Sequence, residues 1–231
     1  MSQDTSLPRA QVYKFLADAF VYPRENWTED VSLLNEVMQQ AGLMPYFLDI
    51  RPAPLEDLQF AHRHTFGIAG SLCYETEYGL PHEYRQSQEM ADLAGFYQAF
   101  GFRTEGKIRE RPDHVAVELE FMSLLSVKEA YAREQQNENH TAICQEAQTK
   151  FLTDHLGNWF ALFAQSVQLN ACGDVYSSLA HFAVHFLQWD AARLDVKWTV
   201  RDRAQVKHTP FDPDMSCATC SLPGQRVQIE M

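Results

Sequence analysis

The stripe Val175, Leu179, Phe182, Phe186 and Trp189, at spacings of four, three, four and three, is the feature that most limits the fold. That period lines side chains along one face of an α-helix, whereas a strand would send successive side chains to opposite faces. One side of this helix is rich in aromatic rings and must be buried against other elements. Weaker stripes of the same kind recur along the chain. Val12, Phe15, Leu16, Ala19 and Phe20 predict a first helix ending near Pro23. Thr28 with Asp30 and Val31 opens a second, which runs to about Gly42, a glycine suited to closing it. A third follows the Pro52 and Pro54 pair, from about Leu55 to Phe66. Met90, Leu93, Ala94 and Tyr97 carry a fourth across residues 86–102, with Gly101 near its end. After Pro112, whose missing N–H costs nothing at a helix start, Leu119, Phe121, Met122, Leu124 and Leu125 predict a long helix to about Gln136. Leu156, Trp159, Phe160, Phe163 and Val167 mark another, closing at Gly173. Strand-like alternation has no comparable length, so the predicted class is all-α.

Glycine and proline interrupt the pattern in residues 67–84, GIAGSLCYETEYGLPHEY, an irregular loop rich in tyrosine and glutamate. Residues 103–111 form a charged connector. Beyond about Asp195 the periodicity is lost and Pro210, Pro213 and Pro223 appear. The expected organisation is a single globular helical domain over residues 1–195 with a largely unstructured tail over 196–231. A chain of 231 residues, 45% of them hydrophobic, can bury one sizeable core.

Charge narrows the partners. With 31 acidic against 19 basic side chains, the formal charge of -12 repels phosphate backbones and anionic lipid. Nucleic acid is not an expected partner; a basic one, such as a peptide carrying arginines, is. No window approaches the roughly 18 to 20 apolar residues of a membrane span. The N-terminus lacks a basic stretch followed by an apolar run, so a cytoplasmic protein is expected. Five cysteines at irregular spacing make a poor disulfide framework and fit a reducing compartment.

Familiar catalytic motifs are missing: there is no glycine-rich phosphate loop, no G-x-S-x-G and no H-E-x-x-H. The expectation is therefore a protein that is not an enzyme. Glu75, Glu77, Tyr78, His82, Glu83 and Tyr84 set carboxylates beside aromatic rings, a combination able to hydrogen-bond a guanidinium while the rings pack on its plane. The same tyrosines would equally serve to anchor the loop in the core. Asp113 lies where a helix N-terminus favours negative charge. Glu118, four residues after His114, is within reach of it across one turn, and a histidine between two acids can titrate near neutrality. His181 and His185 are spaced i, i+4 on a polar stripe with Ser178 and Gln188, as a chelating pair would be, but no further ligand is identifiable and packed, hydrogen-bonded histidines fit as well. Cys217 and Cys220 form a single C-x-x-C, with His208 as a third ligand to draw on; four ligands would be needed for a closed zinc site. No metal site is therefore predicted.

Two of these features together resemble a known family. The run Tyr74-Glu75-Thr76-Glu77-Tyr78-Gly79, then Tyr84-Arg85-Gln86, Ala91 to Tyr97 and Phe100-Gly101-Phe102, followed by Glu110-Arg111-Pro112-Asp113-His114 and Glu118-Leu119-Glu120-Phe121-Met122, is similar to the TorD/DmsD/NarJ family over about residues 9–192. The resemblance implies an all-helical, cytoplasmic, dedicated chaperone. Its partner would be the catalytic subunit of a molybdenum-containing oxidoreductase, often held at its twin-arginine signal peptide until the molybdopterin cofactor is inserted. It implies no cofactor of the chaperone's own, only a transient contact with the client's molybdenum cofactor. By the same resemblance Asp113 and His114 match a signal-binding hinge, and Glu75, Glu77, Tyr78, Tyr84 and Glu118 fall in or beside the neighbouring motifs. The first motif departs from the Pro-Trp-Glu-Ser pattern of some branches, so the tryptophan used there has no counterpart here. The chain looks closer to chaperones of the respiratory and dehydrogenase branch, such as those serving dimethyl sulfide, ethylbenzene or selenate enzymes. The alternative is a metal or iron–sulfur handling assembly factor using Cys217 and Cys220.

Overall fold

The computed structural model describes residues 4–67, 69–78, 85–103, 110–171 and 174–198. Among these, eight α-helices occur in chain order: α1 (Ser6–Ala19), α2 (Val31–Gln40), α3 (Leu55–Phe66), α4 (Arg85–Ala99), α5 (Val115–Glu134), α6 (Glu138–Asp154), α7 (Leu156–Asn170) and α8 (Val175–Arg193). Two short 3-10 turns, Trp27–Asp30 and Glu75–Glu77, complete the regular structure. The only extended pairing in these residues is the isolated bridge between Tyr74 and His114. The all-α expectation holds.

Two helices end at the glycines expected to close them, whereas α1 ends at Ala19, short of Pro23, and Gly173 lies outside the described residues. Gly42 closes α2 at φ +59°, donating to the Gln39 carbonyl while Leu43 donates to Met38. Gly101 does the same for α4 at φ +68°, with Phe102 bonded back to Tyr97. Both are left-handed positions that a residue without a Cβ adopts at little cost. Asp174 caps α8 through its carboxylate, which accepts from the Tyr176 N–H at 2.9 Å.

One helix was not foreseen. α6 follows α5 after a turn at Gln136, in the left-handed region at φ 53°, and is capped by Asn137, whose Oδ1 accepts from the His140 N–H. Its buried residues are Cys144, Ala147, Gln148, Phe151 and Leu152, a stripe of correct spacing but with a glutamine at its centre. A polar residue on a core-facing stripe weakens the apolar periodicity that a sequence reading depends on.

Helices α1, α5 and α6 pack in succession, and α7 links α6 to α8. Ser123 on α5 donates to the Ala10 carbonyl of α1 at 2.8 Å, so these two helices approach closely. Phe121 sits at the centre of an aromatic cluster with Phe96, Tyr97, Phe102 and Phe151, the shortest centroid distance being 4.8 Å, to Phe151. Removing such a ring costs about 3–5 kcal/mol through lost transfer energy and the cavity left behind.

A second tie is polar. Arg9 of α1 is wholly buried and donates to Glu129 of α5 at 2.5 Å, to Gln148 of α6 at 2.7 Å and to both oxygens of Asp190 of α8 at 3.1 Å. Tyr13 and Arg193 also donate to Asp190, and Arg133, Gln145 and Gln148 to Glu129. Four helices thus meet at one guanidinium. Burial alone would raise the Glu129 carboxyl, but the Arg9 charge and the surrounding donors outweigh it and hold it down at about 2.

Past α8, Asp195 turns at φ 56°, and Val196 and Trp198 pack against the core, three residues beyond the boundary expected at 195. Residues 199–231, including His208, Cys217 and Cys220, lie outside the described residues.

Candidate functional site

The tyrosine-rich loop and the start of α5, about forty positions apart in sequence, are clipped together by backbone hydrogen bonds. Glu75 N–H donates to the Asp113 carbonyl at 2.8 Å and Val115 N–H to the Cys73 carbonyl at 2.8 Å, with Tyr74 and His114 paired between them. Behind the clip, Tyr97 of α4 donates its hydroxyl to the Pro112 carbonyl at 2.7 Å. The Glu75–Glu77 turn follows because Glu77 and Tyr78 donate back to Tyr74 and Glu75. This arrangement brings Glu75, Glu77, Tyr78, Asp113, His114 and Glu118 into one neighbourhood. Tyr84 lies outside the described residues.

Their chemistry differs from residue to residue. Asp113 is fully buried, and its carboxylate accepts from Thr76 Oγ1 at 2.7 Å and from Arg111 Nε and Nη2 at 3.1 and 2.9 Å. The second Arg111 bond is part of a fork, because Nη2 also donates to Thr76 Oγ1 at 3.1 Å. The guanidinium lies 4.5 Å from the centre of the Tyr74 ring, a cation–π distance. Arg111 itself is 42% exposed, while Asp113 beneath it is 0% exposed. The surface therefore presents an arginine, and the aspartate acts from below it.

His114 has a different task from the one its neighbours suggested. It is the N-cap of α5, its Nδ1 accepting from the Ala116 N–H at 3.1 Å, so the ring must be unprotonated at that nitrogen. Burial, with the nearby His62 and the Arg111 charge, pushes it down to about 4. It is a neutral cap at neutral pH, which corrects the expectation of titration there. The Glu118 carboxylate is also not used on His114. It is fully buried and accepts from Trp159 Nε1 at 3.1 Å, fastening α5 to α7. The helix begins at Val115, so Pro112 and Asp113 precede its cap and do not form its first turn.

Glu75 is fully buried and pairs with His155 Nδ1 at 3.1 Å, at the joint between α6 and α7. Tyr78 is a core anchor: its hydroxyl donates to the Leu72 carbonyl at 2.7 Å, its ring lies 5.2 Å from Trp159, and burial raises its pKa. Glu77 is half-buried on the turn. Tyr74, Thr76 and Arg111 stand in the motif runs but are not among the site residues expected from sequence, yet they form the accessible part of the site. The available signal was Arg111 two residues before Asp113, with Tyr74 beside the predicted glutamates.

The paired histidines lie elsewhere. His181 Nδ1 is bonded to the Tyr46 hydroxyl at 2.6 Å, and the two histidine Nε2 atoms are 3.4 Å apart. His181 also lines a cavity of about 350 Å³ with Tyr46, Phe47, Leu48, Asp49, Gln168, Ser177 and Ser178. Among the described residues no group of three or more histidine, cysteine, aspartate or glutamate side chains is arranged to hold a metal ion, and no helix is long and apolar enough to cross a membrane.

Comparison with known proteins completes the description. The family described as nitrate reductase delta subunit matches residues 24–165. The chaperone protein TorD of Vibrio cholerae is 31% identical over 112 residues, 48% of this chain and 48% of that one. A perchlorate reductase assembly chaperone from Dechloromonas aromatica is 29% identical over 202 residues, covering 80% of this chain and 88% of its own. The chain spans about half the length of the TorD relatives it matches. A solved structure from Archaeoglobus fulgidus, named for redox enzyme maturation, covers 78% of this chain and 93% of its own at 20% identity and a TM-score of 0.48.

Proposed function

The chain belongs to the family described as nitrate reductase delta subunit, the TorD/NarJ family, and from that premise we propose that it is an assembly chaperone for a molybdenum-containing oxidoreductase. In this reading it acts in the cytoplasm by binding and is not an enzyme. It holds the catalytic subunit before cofactor insertion and engages its twin-arginine signal peptide. The observation that carries the peptide assignment is the face made by Tyr74, Thr76 and Arg111 over the buried Asp113 carboxylate. An aromatic ring and a fixed carboxylate are the groups that recognise a planar guanidinium, by stacking and by a two-bonded fork. The chain's net charge of -12 favours encounter with a basic segment.

The residues divide accordingly. Tyr74, Thr76 and Asp113 meet the peptide, while His114, Glu75, Glu118 and Tyr78 hold the loop and the start of α5 in register from within. Glu77 lies at the rim. Co-purification of the full chain from its native host, with identification of the bound polypeptide, tests the client class: a molybdoenzyme catalytic subunit is expected, and repeated recovery of unrelated proteins would overturn it. Calorimetry with a twin-arginine peptide tests the site. Asp113→Asn is expected to weaken binding by about tenfold or more, as the loss of a charge-assisted fork implies. Equal affinity for the native and substituted chains would remove Asp113 from the binding face.

A further inference from the structure

We propose that Asp113, Thr76 and the Tyr74 ring form a guanidinium site that the chain's own Arg111 fills in the unliganded protein and leaves when a client arginine enters. The proposal rests on the client reading above for the identity of the incoming arginine, but not for the site itself. Arg111 already displays the contacts such a ligand would make. Its Nε and Nη2 bind opposite oxygens of one carboxylate, Nη2 reaches Thr76 Oγ1, and the guanidinium plane lies over Tyr74 at 4.5 Å.

Two features separate this arginine from an ordinary structural one. The carboxylate and its hydroxyl partner belong to the backbone-bonded clip between the loop and α5, and Asp113 is fully buried beneath Arg111. The guanidinium, by contrast, comes from the residue just before Pro112, and its side chain is 42% exposed. Rotation of that side chain into water uncovers the aspartate without moving a helix. Gln86 Nε2, exposed at the start of α4 and 3.3 Å from Thr76 Oγ1, and Glu110, which accepts from the Tyr74 hydroxyl at 3.3 Å, mark the rim through which a second arginine would approach.

A resident ligand lowers apparent affinity by the fraction of molecules in which the site is closed. Removing it should therefore tighten binding. Arg111→Ala is expected to bind a twin-arginine peptide about tenfold more tightly than the native chain, and Asp113→Asn in the same background to abolish the gain. Independently of any peptide, millimolar methylguanidinium should raise the melting temperature of Arg111→Ala, whereas methylammonium should not. Neither should affect Arg111→Ala/Asp113→Asn. Circular dichroism checks that the variants are folded. Should Arg111→Ala fail to fold, Arg111→Lys keeps the charge and loses the fork, and its peptide affinity is expected between the other two. Where the native chain binds the peptide, affinity that is unchanged or weaker without Arg111 would overturn the proposal, as would an equal response to both small cations. If no variant binds the peptide while methylguanidinium still stabilises Arg111→Ala, the guanidinium site stands and the client assignment is what fails.

Discussion

Arg9 and Arg111 each bond a fully buried aspartate, and their surroundings are opposite. Arg9 is itself 0% exposed, wedged among α1, α5, α6 and α8, with two carboxylates, a glutamine and a second layer of arginines around it. Arg111 is 42% exposed, belongs to a loop, and among the described residues touches one carboxylate, one hydroxyl and one ring. The first arrangement can change only if four helices separate. The second can change by one side-chain rotation. Burial of both partners makes an ion pair a fixture of the fold, because removing one partner strands the other in a low-dielectric interior. Burial of only the acid leaves a binding element with an exchangeable cover.

The contrast is tested most strongly by removing Arg9. Arg9→Leu leaves Glu129 and Asp190 buried without their shared cation, and about 3–5 kcal/mol of unfolding free energy is expected to be lost. Urea titration measures it. A loss below about 1 kcal/mol would mean that Arg133 and Arg193 suffice, and that the network is not organised around Arg9.

Acid separates the two regions next. His114 is lowered to about 4 in the folded chain, below the ordinary 6.5, so the unfolded chain takes up a proton first. Its contribution is complete above pH 6.5 and is lost as pH falls toward 4, at about 1.4 kcal/mol per pH unit and about 3 kcal/mol in all. Glu129, lowered to about 2 from its ordinary 4.5, acts in a later window: its stabilisation is present above pH 4.5 and is lost as pH falls through 2. The clip should therefore weaken before the Arg9 network does. His62, also lowered to about 4 by burial, adds to the first window. His114→Asn keeps a capping acceptor that does not titrate, so the slope between pH 6.5 and 4 should fall while stability at pH 7 changes little. An unaltered slope, followed by denaturation at a series of pH values, would remove His114 as its source.

A smaller effect is expected at Asp113. Asn keeps one acceptor for Thr76 and loses the charge under Arg111, so Asp113→Asn should cost about 1–2 kcal/mol of stability, measured by the same urea titrations. Its larger consequence is on peptide binding. A stability loss as large as that of Arg9→Leu would place Asp113 among the fixtures of the fold.

The difference between the regions also explains what the sequence could tell. Helices α1 to α5, α7 and α8 were legible because Phe121, Trp159 and Phe186 recur at helical spacing and Gly42 and Gly101 stand at the ends. α6 was not, since Gln148, the residue it contributes to Arg9, lies in the middle of its buried stripe. Nothing in a linear reading links Arg9 to Asp190 across the length of the chain. At the site, the segments that meet were recognisable by motif, but their roles were not. Glu75 and Glu118 look like surface acids until His155 and Trp159 are brought beside them. His114 looks like a switch until its ring is found capping α5.

Arg111→Ala should have the least effect on folding and gives the sharpest form of the comparison. A partly exposed ion pair is worth about 0–1 kcal/mol, because water competes for both partners and the long side chain gives up rotamer freedom to hold its place. Water can also enter the space Arg111 leaves and solvate Asp113 from the open side, which it cannot do around Asp190. For a chain of this length about 1 kcal/mol corresponds to a fall of about 2–4 °C in melting temperature, against a several-fold larger change for Arg9→Leu. Scanning calorimetry of the two variants side by side decides the matter. Equal losses would show that exposure does not distinguish the two arginines, and Arg111 would then be a second staple.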